Sequence, residues 1–208
     1  MYKDLSLQWQ RVFALEWISL CEGSKAIAAV IADKNGNILS EGRNMISENG
    51  VPNPSTAHAE AEAIRNFDIT AANIKECTLY AGLEPCIMCM GTLVMGGIRR
   101  VVIAARDDFG GAMSLIEKFD FARRKNIEIV WLDNELGDMQ RAFQTVRELL
   151  YNTDEAKKAR MLADFSVYNK TGVDAALRLV NEGYFNKDAL PLLTAESVFD
   201  RLMNTMKQ

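Results

Sequence analysis

The sequence predicts an α/β fold: a three-layer α/β/α sandwich around a five-stranded mixed sheet, with a helical C-terminal extension. Three observations carry that reading. The apolar run Ala26 to Ala32 is followed by the turn Asp33-Lys34-Asn35-Gly36 and a second strand-like run, the pattern of a β-hairpin. From that second strand onward, strand-like and helical segments alternate, an order that indicates right-handed crossovers and a mostly parallel central sheet. Beyond Tyr151 no strand-like run occurs.

The elements follow in order. Residues 5–20 place Leu5, Trp9, Val12, Phe13, Trp17 and Leu20 at helical spacing, and Gly23 closes the segment. The hairpin comprises Ala26 to Ala32 and about Asn37 to Gly42. A loop rich in Asn, Ser, Gly and Pro covers residues 44–55. Thr56 is expected to cap a helix over about 57–67. Cys77 to Gly82 is a third strand. Pro85 then opens a helix of about 86–96, which Gly96-Gly97 ends. Arg100 to Ala105 and Ile127 to Leu132 are the fourth and fifth strands, with a helix over about 114–125 between them. Asn134 caps a helix that runs to about Tyr151.

The tail reads as three helices, Asp154 to Asn169, Asp174 to Asn181 and Glu196 to Met206, punctuated by Gly172 and Gly183. Residues 1–151 are therefore expected to form one domain and residues 152–208 a helical extension. The extension carries no net charge. Residues 1–150 hold 16 basic and 20 acidic groups, the whole acidic excess of a chain with net charge −4.

Composition excludes several classes. With 49% apolar and 25% charged residues over 208 positions, the chain is neither disordered, collagen-like nor coiled-coil. Its acidity argues against gripping nucleic acid by bulk charge. The longest uncharged apolar stretch, Cys86 to Ile98, is too short to span a bilayer. Asp4, Arg11 and Glu16 interrupt any apolar leader. Four cysteines are too few for a disulfide scaffold. A cytoplasmic enzyme or binding protein is expected.

The chemistry concentrates in two short segments, His58-Ala59-Glu60 and Pro85-Cys86-Ile87-Met88-Cys89. His58 is the only histidine in the chain. Each segment lies at the start of an expected helix. A Cys-x-x-Cys at a helix N-terminus puts two thiols about one turn apart, where the helix dipole favours thiolate. Two thiolates and one imidazole are three ligands of a tetrahedral zinc site whose fourth position stays open to water, as catalytic zinc requires. Glu60, two residues after His58, can reach that water without being a ligand and do general acid/base work. In this order the residues form the H-x-E…P-C-x-x-C signature of zinc nucleobase deaminases. Either half alone would more often be a polar loop histidine, a redox pair or part of a structural zinc site. A structural site needs a fourth protein ligand. Cys77 is about 20 Å of strand away from the motif, and Cys21 ends an apolar helix, so both read as core residues.

Thr56-Ala57-His58-Ala59-Glu60 and Leu83-Glu84-Pro85-Cys86-Ile87-Met88-Cys89-Met90-Gly91 resemble the cytidine/deoxycytidylate deaminase superfamily, whose branch nearest to this chain holds bacterial tRNA adenosine deaminases and guanine deaminase-like proteins. The resemblance extends over about residues 5–150. It includes Ala28-Ala29-Val30, Glu41-Gly42-Arg43-Asn44 and Val101 to Asp107 followed by Gly110-Gly111-Ala112. It implies a cytidine deaminase-like sandwich and zinc (Zn2+) on His58, Cys86 and Cys89, with Glu60 as the catalytic proton carrier. It also implies that Asn44 and the backbone N–H of Ala59 hold the substrate, that Ile27 forms pocket wall, and that the chain is a homodimer. An Asn side chain offers both donor and acceptor to a heterocycle.

Two features depart from the tRNA-acting branch. The tail after Tyr151 has no counterpart in its minimal members, and the expected basic cluster is missing. Arg99-Arg100 and Arg123-Arg124-Lys125 are the densest basic groups and read as solvated surface. The expected function is therefore a zinc-dependent hydrolase that removes the exocyclic amine of a small nucleobase or nucleoside. A tRNA wobble-adenosine deaminase is the alternative, and a non-catalytic zinc-stabilised interaction protein is a third reading.

Overall fold

The computed structural model describes residues 1–208. Helix α1 (Leu7–Cys21) leads into strands β1 (Ala28–Ala32) and β2 (Ile38–Arg43), then α2 (Ala59–Arg65), β3 (Thr78–Leu83), α3 (Ile87–Gly96) and β4 (Arg100–Ala105). Two single-turn helices, α4 (Leu115–Lys118) and α5 (Asp120–Arg123), precede β5 (Glu128–Trp131) and α6 (Glu135–Tyr151). The tail forms α7 (Glu155–Asn181) and α8 (Ala195–Met206).

The five strands make one sheet in the order β2-β1-β3-β4-β5. β1 runs antiparallel to both β2 and β3, while β3, β4 and β5 are parallel. The sheet is mixed as expected. It is only half parallel, however, because β3 pairs beside β1 and antiparallel to it.

Helices cover both faces, which is why β1 is buried along its whole length and reads as an unbroken apolar run. Strand alternation sorts its residues. Ala28 and Val30 join a core with α1 and α6, whereas Ala29 and Ile31 join one with α2 and α3.

The tail helices belong to the first of these cores. Phe199 of α8 packs edge-on against Phe13 of α1 at 5.1 Å, and Phe13 meets Phe143 of α6 at 5.9 Å. Trp17 of α1 reaches Phe143 at 5.9 Å and donates its indole N–H to Leu193 O at 3.2 Å. Gly172 lies so close to the backbone of Asp138 that any Cβ would collide with it, so it lets α7 sit tightly on α6.

Several local expectations change. The first tail helix ends at Asn169 as expected, where the helical backbone is lost (φ −128°, ψ 44°), but the second stretch of α7 starts directly after that kink and runs through Gly172 instead of beginning at Asp174. The helix expected over 114–125 breaks into two at Phe119, which is extended (φ −114°, ψ 110°). Thr56 lies in a single 3-10 turn, and His58 takes the N-cap position of α2. No helix is long and apolar enough to cross a membrane.

Candidate active site

Two helix starts converge to make the site. His58 is the N-cap of α2, with extended backbone (φ −95°, ψ 147°), and Cys86 is the N-cap of α3 (φ −70°, ψ 174°). Cys89 sits one residue short of a full turn further along α3. The His58 side chain makes no capping hydrogen bond to α2, so it is free to turn outward. Gly42 of β2 makes the first approach feasible: a Cβ there would strike the backbone of Ala59 and Ala63.

The result is a compact donor cluster. Cys86 Sγ lies 3.5 Å and Cys89 Sγ 3.7 Å from His58 Nδ1, and the three donor atoms lie within 4.8 Å of one another. A tetrahedral zinc with bonds of about 2.3 Å to sulfur and 2.0 Å to nitrogen holds such donors about 3.6 Å apart. Two sulfurs and an imidazole are also the donor types zinc favours. The residues present therefore fit the metal. Cys77 is buried with its thiol directed at Asn73 O, and Cys21 lies near Leu190 O, so neither is in the cluster.

The electrostatics suit metal binding. The Cys86 thiol is pushed down to about 3 by hydrogen bonds from Cys89 and His58 to its thiolate. Cys89 is held high by that same bond to Cys86 and by burial. His58 is raised above the usual imidazole range, first by its hydrogen bond to Cys86.

Glu60 lies on the first turn of α2 and is 3% exposed. Burial raises its carboxyl above the ordinary range, against hydrogen bonds from its own backbone N–H and from Cys89. A carboxyl shifted upward in this way keeps its proton more readily than an ordinary glutamic acid, the direction that proton-transfer work calls for.

His58, Glu60 and Cys86 open onto a cavity of about 210 Å³. Ile27, Ile46, Leu83 and Phe109 give it apolar walls, and Lys25, Glu84 and Asp107 add charge. Phe109 is 79% exposed, an aromatic ring standing at the mouth. Glu84 accepts from the backbone N–H groups of Asp107 (3.1 Å) and Met113 (3.2 Å), and so ties the loop after β4 to the end of β3. Three larger hollows, beside Arg106 and Asp138, beside Tyr2 and Arg11, and beside Asp108 and Glu117, contain no such donor cluster.

The other residues singled out in the sequence lie behind this wall. Asn44, 1% exposed, follows β2 and accepts through Oδ1 from the backbone N–H groups of Lys25 and Ile46, both at 3.3 Å. Its amide oxygen is thus committed to the backbone, and only Nδ2 remains for a ligand. Ala59 is fully buried, and neither it nor Asn44 lines the cavity. Ile27 does line it. Lys25, Glu84, Asp107 and Phe109 had no assigned role in the sequence reading. Only Lys25 carried a signal, as a charge placed just before a buried apolar strand.

Comparison with known proteins agrees with this geometry. The family model described as the cytidine and deoxycytidylate deaminase zinc-binding region matches residues 9–105. A cytosine deaminase of Candida albicans is 30% identical over 139 residues, covering 65% of this chain and 86% of that protein. A tRNA-specific adenosine deaminase of Haemophilus influenzae is 38% identical over 105 residues, covering 49% of this chain and 59% of that protein. Against three of the curated relatives the match spans only 51%, 59% and 65% of the relative's length. A solved guanine deaminase from Nitrosomonas europaea superposes with a TM-score of 0.52 at 22% identity, covering 66% of this chain and 82% of that one, which shows a common fold.

Proposed function

We propose that this chain, which belongs to the cytidine and deoxycytidylate deaminase family, is a zinc-dependent hydrolase that removes the exocyclic amine of a nucleobase or nucleoside and releases ammonia. The observation that carries the reading is the His58–Cys86–Cys89 cluster, with donors 3.5 and 3.7 Å apart, beside the buried carboxyl of Glu60. In this reading His58 Nδ1, Cys86 Sγ and Cys89 Sγ hold the metal. When bound, zinc lowers the pKa of a coordinated water to about 7 and so supplies a nucleophile at neutral pH.

Glu60 is the proton carrier. Its carboxylate takes one proton of the attacking water and passes it to the ring nitrogen beside the reacting carbon as the C–O bond forms; it then takes that oxygen's second proton and delivers it to the amine, which leaves as ammonia as the C–N bond breaks. Ile27, Ile46, Leu83 and Phe109 sandwich the ring and exclude bulk water. Asn44 offers its remaining Nδ2 donor, and Ala59 its backbone N–H, for the ring edge, which requires the substrate to reach past the present cavity lining. Residues 1–151 contain every group of this scheme, and residues 152–208 are the helical extension.

A small substrate is favoured over tRNA. An anticodon stem-loop needs a basic track around the pocket. Here the wall carries Glu60, Glu84 and Asp107, and the densest basic groups are partly neutralised, Arg100 by Glu128 and Arg123 by Asp120. The tRNA wobble-adenosine reading remains the alternative because of the relative that acts on tRNA. We assign the chain to the cytoplasm, where four free cysteines stay reduced. Ile87 and Met95 of α3, 67% and 75% exposed beside the site, favour a homodimer through that helix. Light scattering at micromolar concentration is expected to give twice the chain mass.

The test is a screen for ammonia over free bases, nucleosides and nucleotides, with tRNA in parallel. Ammonia from a free base or nucleoside is expected. Inosine formed in tRNA, with no ammonia from any small substrate, would reverse the ranking.

A further inference from the structure

The corner of the cavity beneath the C-terminal helices contains polar groups that the proposed mechanism does not use. The catalytic cavity shares Lys25, Leu83, Asp107 and Phe109 with an inner extension of about 40 Å³. Arg141, Gln144 and Asp164 line that extension, with Phe165 of α7. Its size is close to that of one water molecule, about 30 Å³. It accepts a small polar substituent of a ring, and excludes a sugar or a phosphate.

Most of the polar groups in this corner are already engaged. The Arg141 guanidinium donates to Arg106 O at 2.7 Å and to Asp107 Oδ1 at 3.3 Å, and lies over the Phe165 ring at 4.4 Å. Neighbouring Arg147 pairs with Glu148 at 2.9 Å and donates to Gly23 O at 3.2 Å. Two groups remain. Lys25 is fixed through its backbone N–H on Asn44 Oδ1, while its ammonium makes no ion pair and no hydrogen bond within the protein. Gln144 is 2% exposed, and its Oε1 has no donor. One charged donor and one buried acceptor therefore stand free in this corner, beside the unpaired Asp164 carboxylate. A buried polar group without a partner is costly, and a ligand with the matching pattern relieves that cost.

Resting on the deaminase reading above, we propose that Lys25, assisted by Gln144, is a specificity-determining residue that binds the lactam edge of the substrate, a ring carbonyl with its adjacent N–H. Lys25 Nζ donates to the carbonyl oxygen and Gln144 Oε1 accepts from the ring N–H. Cytosine-, isocytosine- and guanine-type rings carry a carbonyl of this kind. Adenine does not, and it leaves both protein groups unpaired. A site built around polar partners rejects the analogue that lacks them far more strongly than an apolar wall rejects a methylene.

The experiment measures equilibrium binding of three ligand pairs, each differing by one ring carbonyl: cytosine and 4-aminopyrimidine, isocytosine and 2-aminopyrimidine, guanine and 2-aminopurine. Titration calorimetry on the zinc-loaded full chain carrying Glu60→Gln keeps the ligands intact. In at least one pair the carbonyl-bearing member is expected to bind about tenfold or more tightly. Lys25→Met should bring that ratio to within about twofold of unity, and Lys25→Arg should retain part of it. No discrimination in any pair would overturn the proposal without need of a Lys25 variant, and so would an unchanged ratio in Lys25→Met. A Lys25-dependent ratio with no ammonia released by the wild-type chain would remove the deaminase reading and support the lactam site. Ammonia release with a ratio indifferent to Lys25 would do the reverse.

Discussion

Cys86 Sγ lies 3.5 Å from His58 Nδ1 although 28 residues separate them. The two meet because each is the N-cap of a helix on the same side of the sheet, where Ala59 and Ala63 of α2 share a core with Met90, Leu93 and Val94 of α3. The sheet and that core bring the donors together, and each thiol projects from the positive end of a helix dipole.

Metal retention is the first consequence. The purified chain is expected to hold about one zinc, and Cys86→Ala or Cys89→Ala to lose it together with thermal stability, because binding energy at such a site is folding energy. Elemental analysis and thermal melts before and after chelation check this. Full zinc content in Cys89→Ala would remove Cys89 from the ligand set.

Glu60→Gln separates proton transfer from metal binding. It should keep zinc and fold while turnover falls at least about a hundredfold, the usual scale for a general acid/base. Loss of zinc instead would make Glu60 a ligand and the site structural.

The site was more legible in the sequence than its surroundings. His58, Glu60, Cys86 and Cys89 stand out because metal chemistry demands particular residue types at fixed local spacing. The strands were legible from β1's apolar run and the Asp33 to Gly36 turn. The antiparallel pairing of β1 with β3 was not, since strand order depends on which edge a returning chain joins, and no local pattern encodes it. The break at Phe119 and the helical course of α7 through Gly172, just after its kink at Asn169, were also hidden: tertiary contacts override glycine's weak helix propensity where α7 lies on Asp138. Lys25 was hidden as a wall residue because its place at the cavity follows from the turn into β1.

Buried Glu16 makes stability depend on pH. Neither carboxylate oxygen has a hydrogen-bond partner, and burial pushes the carboxyl well above its ordinary 4.5. Between 4.5 and that raised value the folded chain keeps a proton that the unfolded chain releases, so stability falls as pH rises through the window and is fully present below it. Glu16→Gln should therefore raise the melting temperature at pH 8 more than at pH 4.5. Equal shifts at both pH values would show that Glu16 ionises in the fold as freely as outside it.

The tail should be inseparable from the domain it covers. Ending the chain after Tyr151 would strip Phe185, Val198, Phe199 and Leu202 from the core shared with Phe13 and Trp17. Each is worth about 1.5–3 kcal/mol, together comparable to the 5–15 kcal/mol that holds a typical domain folded. The shortened chain should show no cooperative melt by circular dichroism. A sharp transition near that of the full chain would mean the extension is dispensable for folding.

The central claim, hydrolytic removal of a ring amine at the His58–Cys86–Cys89 centre with Glu60 carrying the proton, is tested most directly by mass spectrometry of the product in ¹⁸O-enriched water. Zinc-loaded wild-type chain is expected to replace the exocyclic amine of a small base or nucleoside with one labelled oxygen, releasing one ammonia per product, while Glu60→Gln forms neither. An amine left intact across the whole panel, or a product without the label, would contradict the account.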